Sequence, residues 1–197
     1  PKISASYSID AGPVTEGAKA GVISLMGSML NEGTTTKTKI QFDEAVDQLG
    51  ANVGISSNGG SVSALTRYFG EAFMLMVDGI RNPSFPQSSF EKLKSQTLTN
   101  LKSNEKSAKA VSGRVVNAFA YGKTSPFGEF ATETSINAIT LDDVKTAYKK
   151  FLTPSRGYLT FVGDIKPLEA KALAEKAFGN WKGSLLTLPV LAKVSNP

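Results

Sequence analysis

The residues with the clearest bearing on chemistry are small ones at helical spacing. Ser24, Gly27 and Ser28 fall three and four residues apart, so a helix would bring them to one face. The chain of 197 residues contains no histidine and no cysteine. Catalytic zinc sites draw most of their ligands from such side chains, and Ser-His-Asp or Cys-His nucleophile systems require imidazole. The segment therefore predicts neither a metal site nor a histidine-activated nucleophile.

Three interpretations of this small-residue face are open. One is close packing, because small side chains let a neighbouring element approach and a serine hydroxyl can bond to the carbonyl four residues earlier. Another is a degenerate site that still lines a substrate chamber. The third, a serine nucleophile activated by lysine, is disfavoured because no Ser-x-x-Lys or comparable arrangement surrounds these serines.

Composition indicates a globular chain without nucleic-acid or membrane-spanning character. Hydrophobic residues make up 41% and charged residues 20%, and no apolar run approaches the roughly 18 residues of a membrane span. The net charge of +5 is spread over lysines on predicted helix faces. A clustered basic stripe, which nucleic-acid binding would require, is missing from the sequence.

Local patterns predict several helices placed between paired strands. Strands are predicted over 2–9, 53–55, 61–69 and 158–162, and helices over 18–32, 38–50, 72–80, 88–105, 108–120, 140–151 and 167–179. Capping boxes begin three of these helices, at Thr38, Ser88 and Thr140. Such an arrangement predicts an α+β fold, with helices on one face of a mostly antiparallel sheet. We expect one domain over 1–184, followed by a tail or linker over 185–197.

Several short motifs follow one another in a recognisable order. They are Gly21 with Gly33-Thr34, the run 43–50 ending in Leu-Gly, Asn82-Pro83-Ser84-Phe85, Ser125-Pro126-Phe127-Gly128 and Phe161-Val162-Gly163-Asp164. Their order and spacing over residues 9–183 resemble the pitrilysin/insulinase family of zinc peptidases, the inverzincins. The first helix of that family carries the zinc motif H-x-x-E-H.

The resemblance implies an emptied zinc motif. It places the motif positions on Ser24, Gly27 and Ser28, so that neither imidazole nor the catalytic carboxylate is retained. The family's third ligand, a Glu on the long helix, corresponds to Asn100 by local sequence, or to Asn104 or Glu105 by counting. On this basis the chain has no catalytic and no metal-binding residue. It should bind no cofactor, with zinc expected only in an active partner.

The resemblance also implies a partner and a peptide ligand. Bacterial two-chain members pair a zinc-motif subunit with a subunit lacking the motif, and this chain is similar to the first domain of the latter. The peptide-facing edge strand of the family corresponds to Val53, Gly54, Ile55, Ser56 and Ser57. An ordinary edge or interface strand is the alternative there. We expect an active subunit or a homologous second domain as partner. The bacterial cell envelope or periplasm is the favoured location, with the cytoplasm as the alternative.

Two other functions fit the same residues. One is a structural or assembly subunit with no peptide role. The other is a fragment of a longer polypeptide whose remaining part carries the function.

Overall fold

The sheet is antiparallel throughout, in the computed structural model that describes residues 1–187 and 190. Its strands are β1 (Lys2–Ile9), β2 (Asn52–Ser56), β3 (Gly59–Leu65) and β4 (Gly157–Gly163), in the order β2-β3-β1-β4. The helices of the described residues are α1 (Val22–Met29), α2 (Lys39–Gln48), α3 (Thr66–Arg81), α4 (Gln87–Glu105), α5 (Ala108–Tyr121), α6 (Glu133–Ala138), α7 (Leu141–Phe151) and α8 (Pro167–Phe178). The predicted α+β class is confirmed.

One face of the sheet carries the core. Along β1, Ile3, Ala5, Tyr7 and Ile9 are buried, while the serines between them lie on the other face. Register carries this alternation across the sheet, because Ala5 pairs with Val62, which is also buried. Within the described residues the helices therefore cover one face, as the sequence predicts.

The helix α3 supplies much of the opposing layer. Its buried residues Phe69, Phe73, Met76 and Ile80 repeat at three- and four-residue spacing, the period of one helical face. The predicted strand over 61–69 is wrong beyond Leu65, since Arg67, Tyr68 and Phe69 lie in the first turns of α3 instead of at a strand end. The helical apolar period already begins at Phe69, and it outweighs the β-propensity of the aromatic pair.

Local capping signals have mixed outcomes. The boxes at Thr38 and Thr140 are confirmed, each hydroxyl accepting a hydrogen bond from the N–H three residues later. The predicted box at Ser88 is wrong, because α4 already begins at Gln87, after Pro86, without a side-chain cap. The first helix is shorter than predicted, because Gly21, with φ of 103°, separates α1 from a 3-10 turn at Gly17–Lys19.

No described helix is long and apolar enough to cross a bilayer. Of the predicted tail, residues 188–189 and 191–197 lie outside the described residues, so the boundary at residue 184 stays a prediction.

Candidate functional site

The N-terminus of α1 is fixed by two glutamates. The Glu16 carboxylate accepts hydrogen bonds from the N–H groups of Gly21, at 3.1 Å, and Ile23, at 2.8 Å. Glu129 in turn accepts from the N–H groups of Glu16 and Gly17, at 2.7 and 2.6 Å. Burial raises the pKa of Glu16, the nearby Glu129 charge adds to this, and the hydrogen bonds from the backbone oppose it. Both carboxylates therefore stabilise the turn that precedes α1 and so fix the orientation of the helix.

The three small residues have different surroundings on α1. Ser24 and Ser28 are exposed, and the Ser28 hydroxyl donates to the Ser24 carbonyl at 3.2 Å. Gly27 is buried against the hairpin between β2 and β3. A Cβ at this position would lie 2.8 Å from the backbone nitrogen of Ser57 and 3.2 Å from its Cβ. Close packing therefore explains Gly27, and the serines present only hydroxyls to solvent.

The long helix adds no strong metal ligand beside them. The helices α1 and α4 pack together, but Asn100 and Glu105 are both exposed on α4. Within the described residues, no group of three His, Cys, Asp or Glu side chains lies close enough to hold a metal ion. Two hydroxyls, an amide and one carboxylate do not match the nitrogen- and sulfur-rich ligand sets of zinc. The side chains present therefore do not fit a zinc ion.

The strand β2 forms an edge of the sheet whose outward groups follow from the register. The N–H of Ile9 donates to the carbonyl of Asn58 at 3.0 Å. Hydrogen-bonded pairs recur at every second residue of an antiparallel ladder, so the backbone groups of the even-numbered residues of β3 bond to β1. The odd-numbered residues of β3 then bond to β2, where Ser61 pairs with Gly54. The backbone groups of Val53 and Ile55 consequently point away from the sheet.

This edge is closed at both ends. The N–H of Ala51 donates to the carbonyl of Val46 at 3.2 Å. The Asn31 carboxamide donates to the carbonyls of Ile55, at 3.0 Å, and Gly27, at 3.1 Å. Between these contacts, the N–H and C=O of Val53 and the N–H of Ile55 have no partner in the described part of the chain.

The predicted edge segment is nearly, but not wholly, strand. Val53, Gly54, Ile55 and Ser56 belong to β2. Ser57 lies in the turn that follows, so its assignment to the edge strand is wrong. A two-residue connection between the paired Ser56 and Gly59 explains this, because the chain must reverse there.

A cavity of about 360 Å³ opens beside the edge of β2, between α1 and α2. Apolar side chains form much of its lining, and charged side chains complete it. The apolar ones are Leu30, Phe42, Val46 and Val53, and the charged ones are Lys39, Asp43 and Asp47. Lys39 is already engaged, because its ammonium lies 3.2 Å from the Asp43 carboxylate and donates to the Asn31 carbonyl. The site thus combines unpaired backbone groups with a partly apolar pocket.

Sequence reasoning missed the residues that shape this site. Glu129 and Asn31 act through partners distant in sequence. Glu16 bonds to N–H groups five and seven residues later, and no recognised motif marks that spacing. The hairpin signal at Asn58-Gly59-Gly60 did locate the edge strand itself.

Comparison with known proteins finds similarity to one peptidase family. A sequence model described as "Peptidase M16 inactive domain" matches residues 138–195. The crystal structure of a peptidase M16 inactive domain from Pseudomonas fluorescens superposes with a TM-score of 0.81 and 26% identity, covering 100% of this chain and 48% of that chain. The chain is therefore similar to inactive domains of the M16 family, the pitrilysin/insulinase group that the motif order resembles.

The chain covers only part of the length of its relatives. "Non-peptidase homolog YmxG" of Helicobacter pylori is 26% identical over 161 residues, which are 79% of this chain and 37% of the relative. The first half of the periplasmic protease PqqL from Escherichia coli shares the fold, with a TM-score of 0.78 at 15% identity, covering 99% of this chain and 45% of that chain. The chain therefore spans about half or less of the length of these relatives.

Proposed function

We propose that this chain is a non-catalytic domain of the M16 family and forms part of a peptide-binding chamber. Its partner is an active, zinc-containing subunit or a homologous second domain. In this proposal Ser24, Gly27 and Ser28 occupy the emptied positions of the zinc motif, and Asn100 or Glu105 the position of the third ligand. One observation is the main support for this proposal. The strand β2 keeps unpaired backbone groups beside α1, a helix that offers no zinc ligand.

Metal catalysis and peptide binding depend on different groups of the protein. Metal catalysis depends on side-chain donors, which α1 lacks, and on space, which the contact between Gly27 and Ser57 removes. Strand addition depends on main-chain hydrogen bonds, so it does not require the metal. A chain can therefore lose the first activity and keep the second.

The length comparison supports a paired arrangement. Coverage of 48% of the Pseudomonas structure and 45% of the PqqL half-structure leaves room in each for a second unit of comparable size. In our proposal such a unit, or a separate active subunit, closes the chamber opposite β2.

Hydrogen exchange at the edge of β2 tests the peptide role. The probe is a blocked peptide, acetyl-Thr-Thr-Leu-Thr-Thr-amide, added to the ¹⁵N-labelled chain. We expect slower exchange of the Val53 and Ile55 amides, because these donors would then bond to the peptide. Val53→Pro removes one of the donors without breaking a bond to β3, since that N–H points outward. It should weaken peptide binding about fivefold or more, the equivalent of one hydrogen bond.

Val53→Thr is the matched control, because it keeps the N–H and the β-branched shape. It should bind the peptide as the unchanged chain does. Equal binding by the proline variant, or unaltered amide exchange in the unchanged chain, would contradict the peptide role. Zinc-dependent peptidase activity of the purified chain, lost with a chelator, would contradict the non-catalytic role.

A second candidate function is a structural or assembly subunit with no peptide role. The helix α5 favours it, because none of its residues is buried in this chain. Val115, Val116 and Phe119 are 59%, 61% and 93% exposed, and clustered exposed apolar side chains are typical of protein contact surfaces. Under this candidate, Phe119→Ser would release the chain from a large native assembly. The Val53 amide would show no peptide protection.

A further inference from the structure

Only some backbone groups at the edge of β2 are free to bond to another strand. In the described residues, Asn31 holds the Ile55 carbonyl and Val46 holds the Ala51 N–H. The groups left between them belong to Val53 and to the N–H of Ile55. A strand docking here can pair fully with one residue only, which is Val53.

We propose that the Asn31 carboxamide is a positioning residue that sets the register of a docked peptide. This inference rests on the peptide role proposed above. By occupying the Ile55 carbonyl, Asn31 stops pairing from extending toward the hairpin turn at Ser57. The peptide then centres on Val53, whichever direction its chain runs.

The cavity beside the edge of β2 determines which peptide side chain fits opposite Val53. In a paired strand, the residue opposite Val53 directs its side chain to the same face as Val53. That face of the edge opens onto the pocket lined by Leu30, Phe42 and Val46. The ligand class is therefore an extended peptide with one apolar side chain opposite Val53.

Asn31 suits this role because its two bonds are independent of the sheet ladder. The amide group bridges the Gly27 carbonyl of α1 and the Ile55 carbonyl of β2, and the residue itself is exposed. Substituting it frees one acceptor on the edge and leaves the bonds between β2 and β3 intact. A docked peptide would then gain one hydrogen bond.

The experiment compares peptide binding to the full chain and to two variants, Asn31→Ala and Asn31→Asp. Asp keeps the size of the side chain but has no N–H to donate to the two carbonyls. The probe is acetyl-Thr-Thr-Leu-Thr-Thr-amide labelled with ¹⁵N, so that protected peptide amides are counted directly. Both variants should bind about fivefold tighter, the equivalent of one hydrogen bond, and should protect one more peptide amide than the unchanged chain.

Ser28→Ala is the matched control on the same helix, because it loses only the bond to the Ser24 carbonyl. It should leave affinity and the number of protected amides unchanged. A purely structural role for Asn31 would alter chain stability but add no protected peptide amide.

The outcomes separate the inference from the proposed function. Binding to the unchanged chain, with no gain in either Asn31 variant, overturns the register role and leaves the peptide role standing. Binding only in the variants supports the register role, with Asn31 blocking the edge. No binding to any of these chains overturns both.

Discussion

The helices α1 and α4 would both have to supply ligands to a metal site, but they differ in how deeply they are buried. Most of α1 is packed, since Met26 and Met29 are fully buried and Gly27 touches the hairpin turn. The longer α4 buries one residue, Phe90, and its positions Asn100 and Glu105 are exposed. Backbone from the hairpin thus fills the space beside Gly27, whereas Asn100 and Glu105 face water.

This difference decides what a substitution costs on each helix. A new side chain at Gly27 must displace the main chain at Ser57, which cannot turn aside as a flexible side chain can. A new side chain at Asn100 displaces only solvent. Adding a metal ligand should consequently cost more stability at Gly27 on α1 than at Asn100 on α4.

The largest expected effect comes from introducing the zinc motif H-x-x-E-H into α1 with Ser24→His, Gly27→Glu and Ser28→His. We expect the free energy of unfolding to fall by about 3 kcal/mol, mostly through overpacking at Gly27. We expect no tight zinc binding, because the third ligand and the groups that orient the new side chains are lacking. Urea denaturation and competition with a fluorescent zinc chelator measure the two effects.

The double variant Ser24→His, Ser28→His is the control for the triple variant, because both positions are exposed. It should lose less than about 1 kcal/mol, as surface substitutions do. A stable triple variant that binds zinc tightly and cleaves peptides would show that α1 can move away from Ser57.

Adding a single methyl group at Gly27 measures how much the tight packing there contributes to the change in stability. Gly27→Ala should destabilise the chain by about 1–3 kcal/mol, because its Cβ meets the Ser57 backbone. Gly113→Ala on α5 is the matched helical control, since a Cβ there meets nothing within 4 Å. It should stabilise the chain by about 0.5–1 kcal/mol, because alanine favours the helix. Urea midpoints that move in the same direction would refute the packing difference.

An ionic contact behind α1 should make its anchoring depend on pH. Lys19, in the turn before α1, forms an ion pair with Asp143 at the start of α7. Burial by itself would raise the pKa of Asp143, but hydrogen bonds from Lys19 and Thr140 outweigh it and lower the pKa from 3.8 to about 2. The stabilisation is therefore complete above pH 3.8 and is lost as the pH falls through about 2.

Asp143→Asn should flatten that acid-induced loss in urea titrations between neutral and acid pH. Asp142→Asn is the control, because the Asp142 side chain is 94% exposed and its contact with Lys145 is long, at 4.0 Å. It should leave the pH profile of stability unchanged. Equal profiles for the two variants would contradict the anchoring role of Asp143.

Features encoded within a few residues could be read from the sequence. Thr38 and Thr140 cap helices through neighbours three residues away, and the Asn58-Gly59 signal marks the hairpin. The short helix α6 was missed, because its capping pair Thr132 and Ser135 precedes too few apolar residues to show a period. Local patterns therefore gave the sheet and most of the helices.

The decisive contacts of the site are not local. Gly27 meets Ser57, and Asn31 meets Ile55, each across a helix, a loop and a strand. A glycine in a helix and an asparagine near its end have many ordinary explanations, and their partners appear only once the hairpin is placed. Composition alone excludes imidazole and thiol ligands from α1, whereas the contact between Gly27 and Ser57 could not be predicted from it.

The smallest expected effect lies on α4. Asn100→Ala and Glu105→Ala should each change the free energy of unfolding by no more than about 0.5 kcal/mol, and in the stabilising direction. Alanine has the higher helix propensity than asparagine, and removing a negative charge from the C-terminal turn relieves its repulsion with the helix dipole. Neither side chain has a hydrogen-bond partner or ion pair among residues 1–187 and 190. A loss above about 1 kcal/mol in urea denaturation would mean that these positions of α4 contribute to packing as Gly27 does on α1.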